Sequence, residues 1–196
     1  MNKKTVTWIV VLGVLAIAVV WGVSRYNAII TAEESVDTAW SQVENQYQRR
    51  ADLIPNLVET VKGYAAHESE TLEGVIAARA KATQVVVDPT RATAEQLAAF
   101  QAAQGELSQA LGRLMAISEN YPDLKANQNF GTLQSQLEGT ENRITVARNN
   151  FNEVVRQFNT LIRRFPTNLI ANMMNAEKRP YFETNEGAEV APKVQF

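Results

Sequence analysis

The sequence predicts an all-α protein: an N-terminal transmembrane helix, then an antiparallel four-helix bundle of long helices, then an extended C-terminal tail. Three observations point there. Thr5 to Ser24 is a run of twenty residues without a charge. Beyond it, apolar residues recur at alternating spacings of three and four, the signature of one buried helix face. Between the periodic segments lie proline-containing clusters that read as connections. The expected divisions are a short tail over 1–4, the span over 5–25, the helical body over 26–166, a short amphipathic segment over 167–175 and the tail over 176–196.

Twenty helical residues rise about 30 Å, the thickness of a bilayer's hydrocarbon core. A cleaved signal peptide has a shorter apolar stretch, of about 7 to 15 residues, ending at a small-residue site. Val20-Trp21-Gly22-Val23-Ser24-Arg25 offers none, so an uncleaved anchor is expected, with Trp8, Trp21 and Tyr26 as interfacial aromatics. Lys3 and Lys4 against Arg25 favour a cytoplasmic N-terminus and a body outside the cytoplasm. The few residues before the anchor leave no room for an output module, which argues against a one-protein receptor.

A stripe of Tyr26, Ile29, Glu33, Val36, Trp40, Val43, Tyr47 and Arg50 is expected to continue the anchor outwards as a stalk, although Thr31 with Glu34 three residues later also reads as a capping box for a fresh start. Pro55 is expected to interrupt that helix, by a kink or by a break, and the break reading has Asp52 capping a second helix from about Leu53 to Ala82. Its apolar face would be Leu57, Val58, Val61, Tyr64, Leu72, Val75 and Ile76. Val85 to Thr90 reads as a connection, and Thr93 with Gln96 as a capping box. The third helix carries Leu97, Phe100, Gln104, Leu107, Leu111 and Leu114. After the turn at Asn120 to Asp123 comes the most regular stripe, from Phe130 through Leu133, Leu137, Thr140, Ile144, Ala147, Phe151, Val154, Phe158 and Leu161 to Phe165. A period near 3.5 held that long predicts supercoiling.

The chain carries a net charge of −2 and no cysteine. It lacks the basic footprint of a nucleic-acid binder, any thiol chemistry and any lipid-modifiable cysteine. His67 is the only histidine and has no second ligand at zinc-site spacing. The serines Ser35, Ser41, Ser69, Ser108, Ser118 and Ser135 have no nucleophile-elbow setting. No catalytic, metal or cofactor residue is assigned. One polar constellation stands out: Arg49, Arg50 and Asp52 with Glu141, Arg148 and the asparagines of the last long helix. Arg50 falls on an apolar stripe, where an unpaired guanidinium is costly. Pairing of Arg50 or Arg49 with Glu141 or Asp52 is therefore expected to fix helix register. Leu169, Ile170, Met173, Met174, Phe182 and Phe196 form the candidate surface for a partner or the membrane.

Several segments together resemble the LemA family. They are Gln46-Tyr47-Gln48-Arg49-Arg50-Ala51-Asp52-Leu53-Ile54-Pro55-Asn56-Leu57-Val58, Tyr121 to Asn127, Glu141-Asn142-Arg143-Ile144, Phe151-Asn152, Phe158-Asn159 and the ending Tyr181-Phe182-Glu183 with Pro192-Lys193-Val194. The resemblance implies a single membrane helix, a four-helix bundle and no agreed enzymatic activity. It also implies association with envelope-maintenance proteins such as an HtpX-like membrane protease or a TPM-domain protein. The expected function is a non-enzymatic, membrane-anchored scaffold or adaptor that forms a homo-oligomer. The alternative is a ligand-binding or sensory bundle that relays through a separate membrane partner.

Overall fold

The computed structural model describes residues 2–183. Phe196 and the Pro192 to Val194 ending lie outside the described residues. Six helices form: α1 (Lys3–Lys62), α2 (Ser69–Gln84), α3 (Ala94–Ser118), α4 (Pro122–Lys125), α5 (Gln128–Arg163) and α6 (Thr167–Met173). Among the described residues there is no strand. The sixty residues of α1 rise about 90 Å, so the apolar run and the spine of the body are one unbroken rod.

Pro55 sits inside α1 and does not end it, which corrects the break reading and the single helix from Leu53 to Ala82. Proline lacks the N–H that would bond the Ala51 carbonyl one turn back. Arg79 of α2 supplies the missing donor, its Nε lying 2.8 Å from that oxygen. Asp52 is accordingly not an N-cap: it is exposed within the helix and accepts from Gln48 Nε2 at 2.8 Å. The chain turns instead between Gly63 and Glu68, where Tyr64 and Ala65 both donate to the Val61 carbonyl. Tyr64 and Ile76 consequently face solvent, while Leu57, Val58, Val61, Leu72 and Val75 are buried.

This substitution of one donor for another is testable. Arg79→Met is expected to cost about 1 kcal/mol, the low end for an unpaired carbonyl because the bond is only part-buried. In a Pro55→Ala background the new alanine N–H takes the carbonyl and the cost should largely vanish. Denaturant unfolding of the four combinations, followed by circular dichroism, reads the coupling. Strict additivity would mean that Arg79 does not replace the missing donor.

The capping box at Thr93 and Gln96 starts α3, and all six residues of its predicted stripe are buried. Asn127 caps α5 by accepting from Phe130 N. Along α5 the buried face shifts from the 3.5 pattern: Val155 and Ile162 are buried, whereas Val154 and Leu161 are only half-buried. A helix of 3.6 residues per turn drifts about 20° per heptad, and over this length the drift exchanges neighbours on the stripe. Phe165 lies past the end of α5 and is 81% exposed.

Helix α5 runs antiparallel to α1, with Gln42 beside Asn150, Arg50 beside Glu141 and Tyr64 beside Asn127. Helix α3 runs antiparallel to α2, tied by Lys81 to Glu106 and by Tyr121 to Glu68 beyond its end. The interior divides into two apolar clusters. One holds Trp40, Phe100, Phe151 and Phe158, and the other holds Ile54, Leu107, Leu114 and Phe130. Helix α6 ends in a Schellman motif, with Asn175 at φ 54 and Ala176 N donating to the Ala171 carbonyl. That turn sends the tail back along α5.

Candidate functional site

Between the two apolar clusters lies a polar layer to which all four long helices contribute. Arg50 of α1 is 1% exposed and sits at its centre. Its Nη1 donates to Glu141 Oε1 of α5 at 2.6 Å and to Ser108 Oγ of α3 at 2.8 Å. Its Nη2 donates to the carbonyl and the side-chain oxygen of Gln104. Gln104 then donates from Nε2 to the Ala82 carbonyl of α2 at 3.1 Å. The guanidinium carbon lies 5.2 Å from the Tyr47 ring, while Nε is buried without a partner. Burial pushes the Tyr47 phenol up, against the opposing pull of Arg148 and Arg50.

The layer brings together only part of the predicted constellation. Arg50 meets Glu141. Arg49 is exposed, on the rim of a shallow groove running from Lys125 to Arg143. Asp52 is solvated, and Arg148 belongs to a second arrangement, where the tail docks.

That dock is built from two asparagines of α5. Asn159 donates from Nδ2 to the Arg179 carbonyl and accepts from Arg179 N, both at 2.9 Å. Asn152 does the same for Phe182, at 3.0 and 2.8 Å. A side-chain amide carries one donor edge and one acceptor edge, so each asparagine pairs with the main chain as a neighbouring strand would. Seven helical residues rise about 10.5 Å, and three extended residues span about 10 Å. The spacing of the clamps therefore matches the spacing of the residues they hold. Beyond them, Arg148 Nη2 and Gln101 Nε2 donate to the Glu183 carbonyl at 2.9 and 2.7 Å.

Side chains lock the same segment. Phe182 stacks on Trp40 with centroids 5.9 Å apart, meets Phe151 edge-on at 5.4 Å and lies under the Arg148 guanidinium at 4.9 Å. Phe182, expected as an outward partner surface, is thus taken into the chain's own core. Arg179 lies over Phe158, donates to the Thr90 carbonyl and pairs with Glu33 of α1. Burial, then the nearby Glu33 carboxylate, push Asp37 up, while Arg179 pulls it down. The remaining candidates sit on α6: Leu169 and Met173 are exposed, and Ile170 and Met174 are half-buried.

The signal for the clamps was present as a heptad repeat of Phe-Asn pairs, Phe151-Asn152 and Phe158-Asn159. Each asparagine follows a core phenylalanine, which places it at the edge of the buried face. Its partner is main chain, and no residue pattern announces that.

The family model for the LemA family matches residues 39–196. The chain belongs to the LemA family. The matched span takes in the polar layer and the tail dock and leaves out the apolar run. Magnetosome protein MamQ 2 and Magnetosome protein MamQ 1 of Paramagnetospirillum magneticum are each 27% identical over 176 residues, 81% of this chain and 65% of theirs. The chain thus spans about two thirds of the length of those relatives. Protein LemA of Metamycoplasma hominis is 24% identical over 164 residues, covering 84% of this chain and 71% of its own.

Proposed function

We propose that this LemA-family chain is a non-enzymatic scaffold or adaptor of the bacterial inner membrane, with its helical body on the periplasmic side. In this reading α1, α2, α3 and α5 act as one four-helix bundle. The observation that carries the reading is the continuity of α1. A window of this helix has mean hydropathy 2.6 and none of its residues buried, enough to cross a bilayer, while its distal half carries buried residues from Val36 to Val61 in the core of the body. A rod shared by anchor and body holds the body at a fixed height above the bilayer, as a presenting surface requires.

The body forms a homo-oligomer and meets an envelope-maintenance partner such as an HtpX-like membrane protease or a TPM-domain protein. Relatives named as a magnetosome protein and as LemA support a shared body used in more than one setting, which suits a scaffold better than a dedicated catalyst. One observation favours a second reading, a ligand-binding or sensory bundle. A crevice of about 330 Å³ between α3 and α5, lined by Leu111, Met115, Leu137 and Glu138, reaches Ser108 and Glu141 of the polar layer.

Cross-linking of tagged protein in its own membrane, read by mass spectrometry, separates the two. Oligomers of this chain, or cross-links to one recurrent membrane protein, are the expected result. Monomer without partners would overturn the scaffold. A small molecule retained by that monomer, and lost on Leu137→Trp, would support the sensory reading.

A further inference from the structure

The base of the body presents an apolar stripe at the height where α1 leaves the bilayer. The register between α1 and α5 continues downwards, so that the end of α5 at Arg163 comes level with the Tyr26 to Ile29 turn. That is about one helical turn beyond the uncharged run. Helix α6 reaches lower still. Ile170 Cδ1 lies 4.0 Å from where a Cβ on Gly22 would stand, and Trp21 and Gly22 are half-covered. Gly22 belongs to the twenty residues that span the hydrocarbon, so the element packed against it is at the depth of the bilayer surface.

The outward side of that element is apolar. Leu169 is 53% and Met173 81% exposed, about one turn apart on α6, while Ala171 on the opposite side is buried; Phe165, in the turn just before α6, is 81% exposed as well. Scattered exposed apolar residues are ordinary, but a group of three beside a membrane span is not scattered. The charges around it have one sign. Arg163 and Arg164 are exposed, and Arg25 lies over Trp21 with 5.9 Å to the ring centroid. The sequence has no Asp or Glu from Thr5 to Ala32, nor from Val154 to Ala176.

We propose that residues 163–174 are a lipid seat. Phe165, Leu169 and Met173 sink into the interface that α1 enters, and Arg25, Arg163 and Arg164 meet the phosphates of anionic headgroups. The seat fixes the tilt of the rod with a second contact, where a single helix alone would be free to lean. The proposal rests on α1 spanning the bilayer and does not require an oligomer.

The chain has no cysteine, so single-cysteine variants of the full chain can carry one nitroxide each. In vesicles of mixed neutral and anionic phospholipid, accessibility to oxygen and to a water-soluble nickel complex reports the depth of each label. Labels at Leu169→Cys and Met173→Cys are expected to be oxygen-accessible and nickel-shielded, like one at Val14→Cys in the span. A label at Val146→Cys, on the exposed face of α5, should be open to nickel. Replacing Arg163 and Arg164 by glutamine should shift the Met173→Cys label towards water, by about fivefold in the seated-to-lifted ratio for each arginine lost. Absence of that shift removes the headgroup contact. Nickel access at 169 and 173 with a lipid-buried label at 14 overturns the seat alone, whereas a label at 14 in water overturns the span itself. Shielding of 169 and 173 from both reagents assigns the stripe to a second copy or another protein, and overturns the lipid seat as well.

Discussion

Glu141→Ala is expected to lower stability by about 2 to 3 kcal/mol, although its side chain is 43% exposed and looks expendable. The cost falls on the other partner. Arg50 is 1% exposed, and its charge was moved from water into the junction of two apolar clusters. Removing one member of such a pair leaves the buried charge with only neutral acceptors, here Gln104 and Ser108. The reverse change leaves a carboxylate that can turn towards solvent. Arg50→Met should therefore cost less, about 1 to 2 kcal/mol, mostly because Gln104 Oε1 loses its donor. At roughly 2 to 4 °C per kcal/mol for a body of this size, Glu141→Ala should shift thermal unfolding by about 4 to 12 °C. Scans of both variants in detergent check the order. A larger loss for Arg50→Met would mean that packing, and not charge compensation, dominates the layer.

The position of this layer suggests what it does for the fold. Arg50, Gln104 and Thr140 interrupt three apolar stripes at one height, and the Ala82 carbonyl brings α2 to the same level. Sliding any helix by one turn would place the guanidinium against leucine or phenylalanine. A polar layer of this kind specifies register more than it adds stability, as a buried asparagine does in a coiled coil.

How much of this was legible depended on whether the signal was local. Arg50 announced itself because a charge on an apolar stripe needs a partner. The capping box at Thr93 and Gln96 was readable because both partners lie within four residues. The continuity of anchor and stalk was favoured by a period that begins at Tyr26, directly after the uncharged run, against the rival start offered by Thr31 and Glu34. Pro55 misled because its effect is decided twenty-four residues away, by Arg79, and no rule for proline in isolation anticipates a donor from another helix. The tail dock was hidden for a related reason. Its bonds join side-chain amides to main chain, so Arg179 and Phe182 contribute backbone atoms that every residue type possesses.

The dock also makes the strongest prediction about dynamics. Phe182→Ala should release the tail while leaving the helices folded. In an interior the change costs about 3 to 5 kcal/mol, but a terminal segment can escape by detaching, so the loss is capped by the free energy that holds the segment down. What holds it is the Phe182 ring against Trp40 and Phe151, four hydrogen bonds from two asparagines and the Arg179 to Glu33 pair. The hydrogen bonds alone are worth about 1 kcal/mol each, and they cooperate only while the ring keeps the strand in place. Hydrogen exchange at the Arg179 and Phe182 amides, both donated to asparagine oxygens, should quicken by about a hundredfold or more in Phe182→Ala, since each 1.4 kcal/mol is a factor of ten. Trypsin should gain access at Lys178, and the near-ultraviolet signal of Trp40 should weaken as its stacking partner leaves. Asn152→Asp offers a finer control, because it retains the acceptor for Phe182 N and loses the donor to the Phe182 carbonyl. Exchange at Phe182 should then rise by a smaller factor than in Phe182→Ala. If both variants exchange at the rate of the unaltered chain, the tail is held from elsewhere, and the matched spacing of clamp and strand is incidental to its docking.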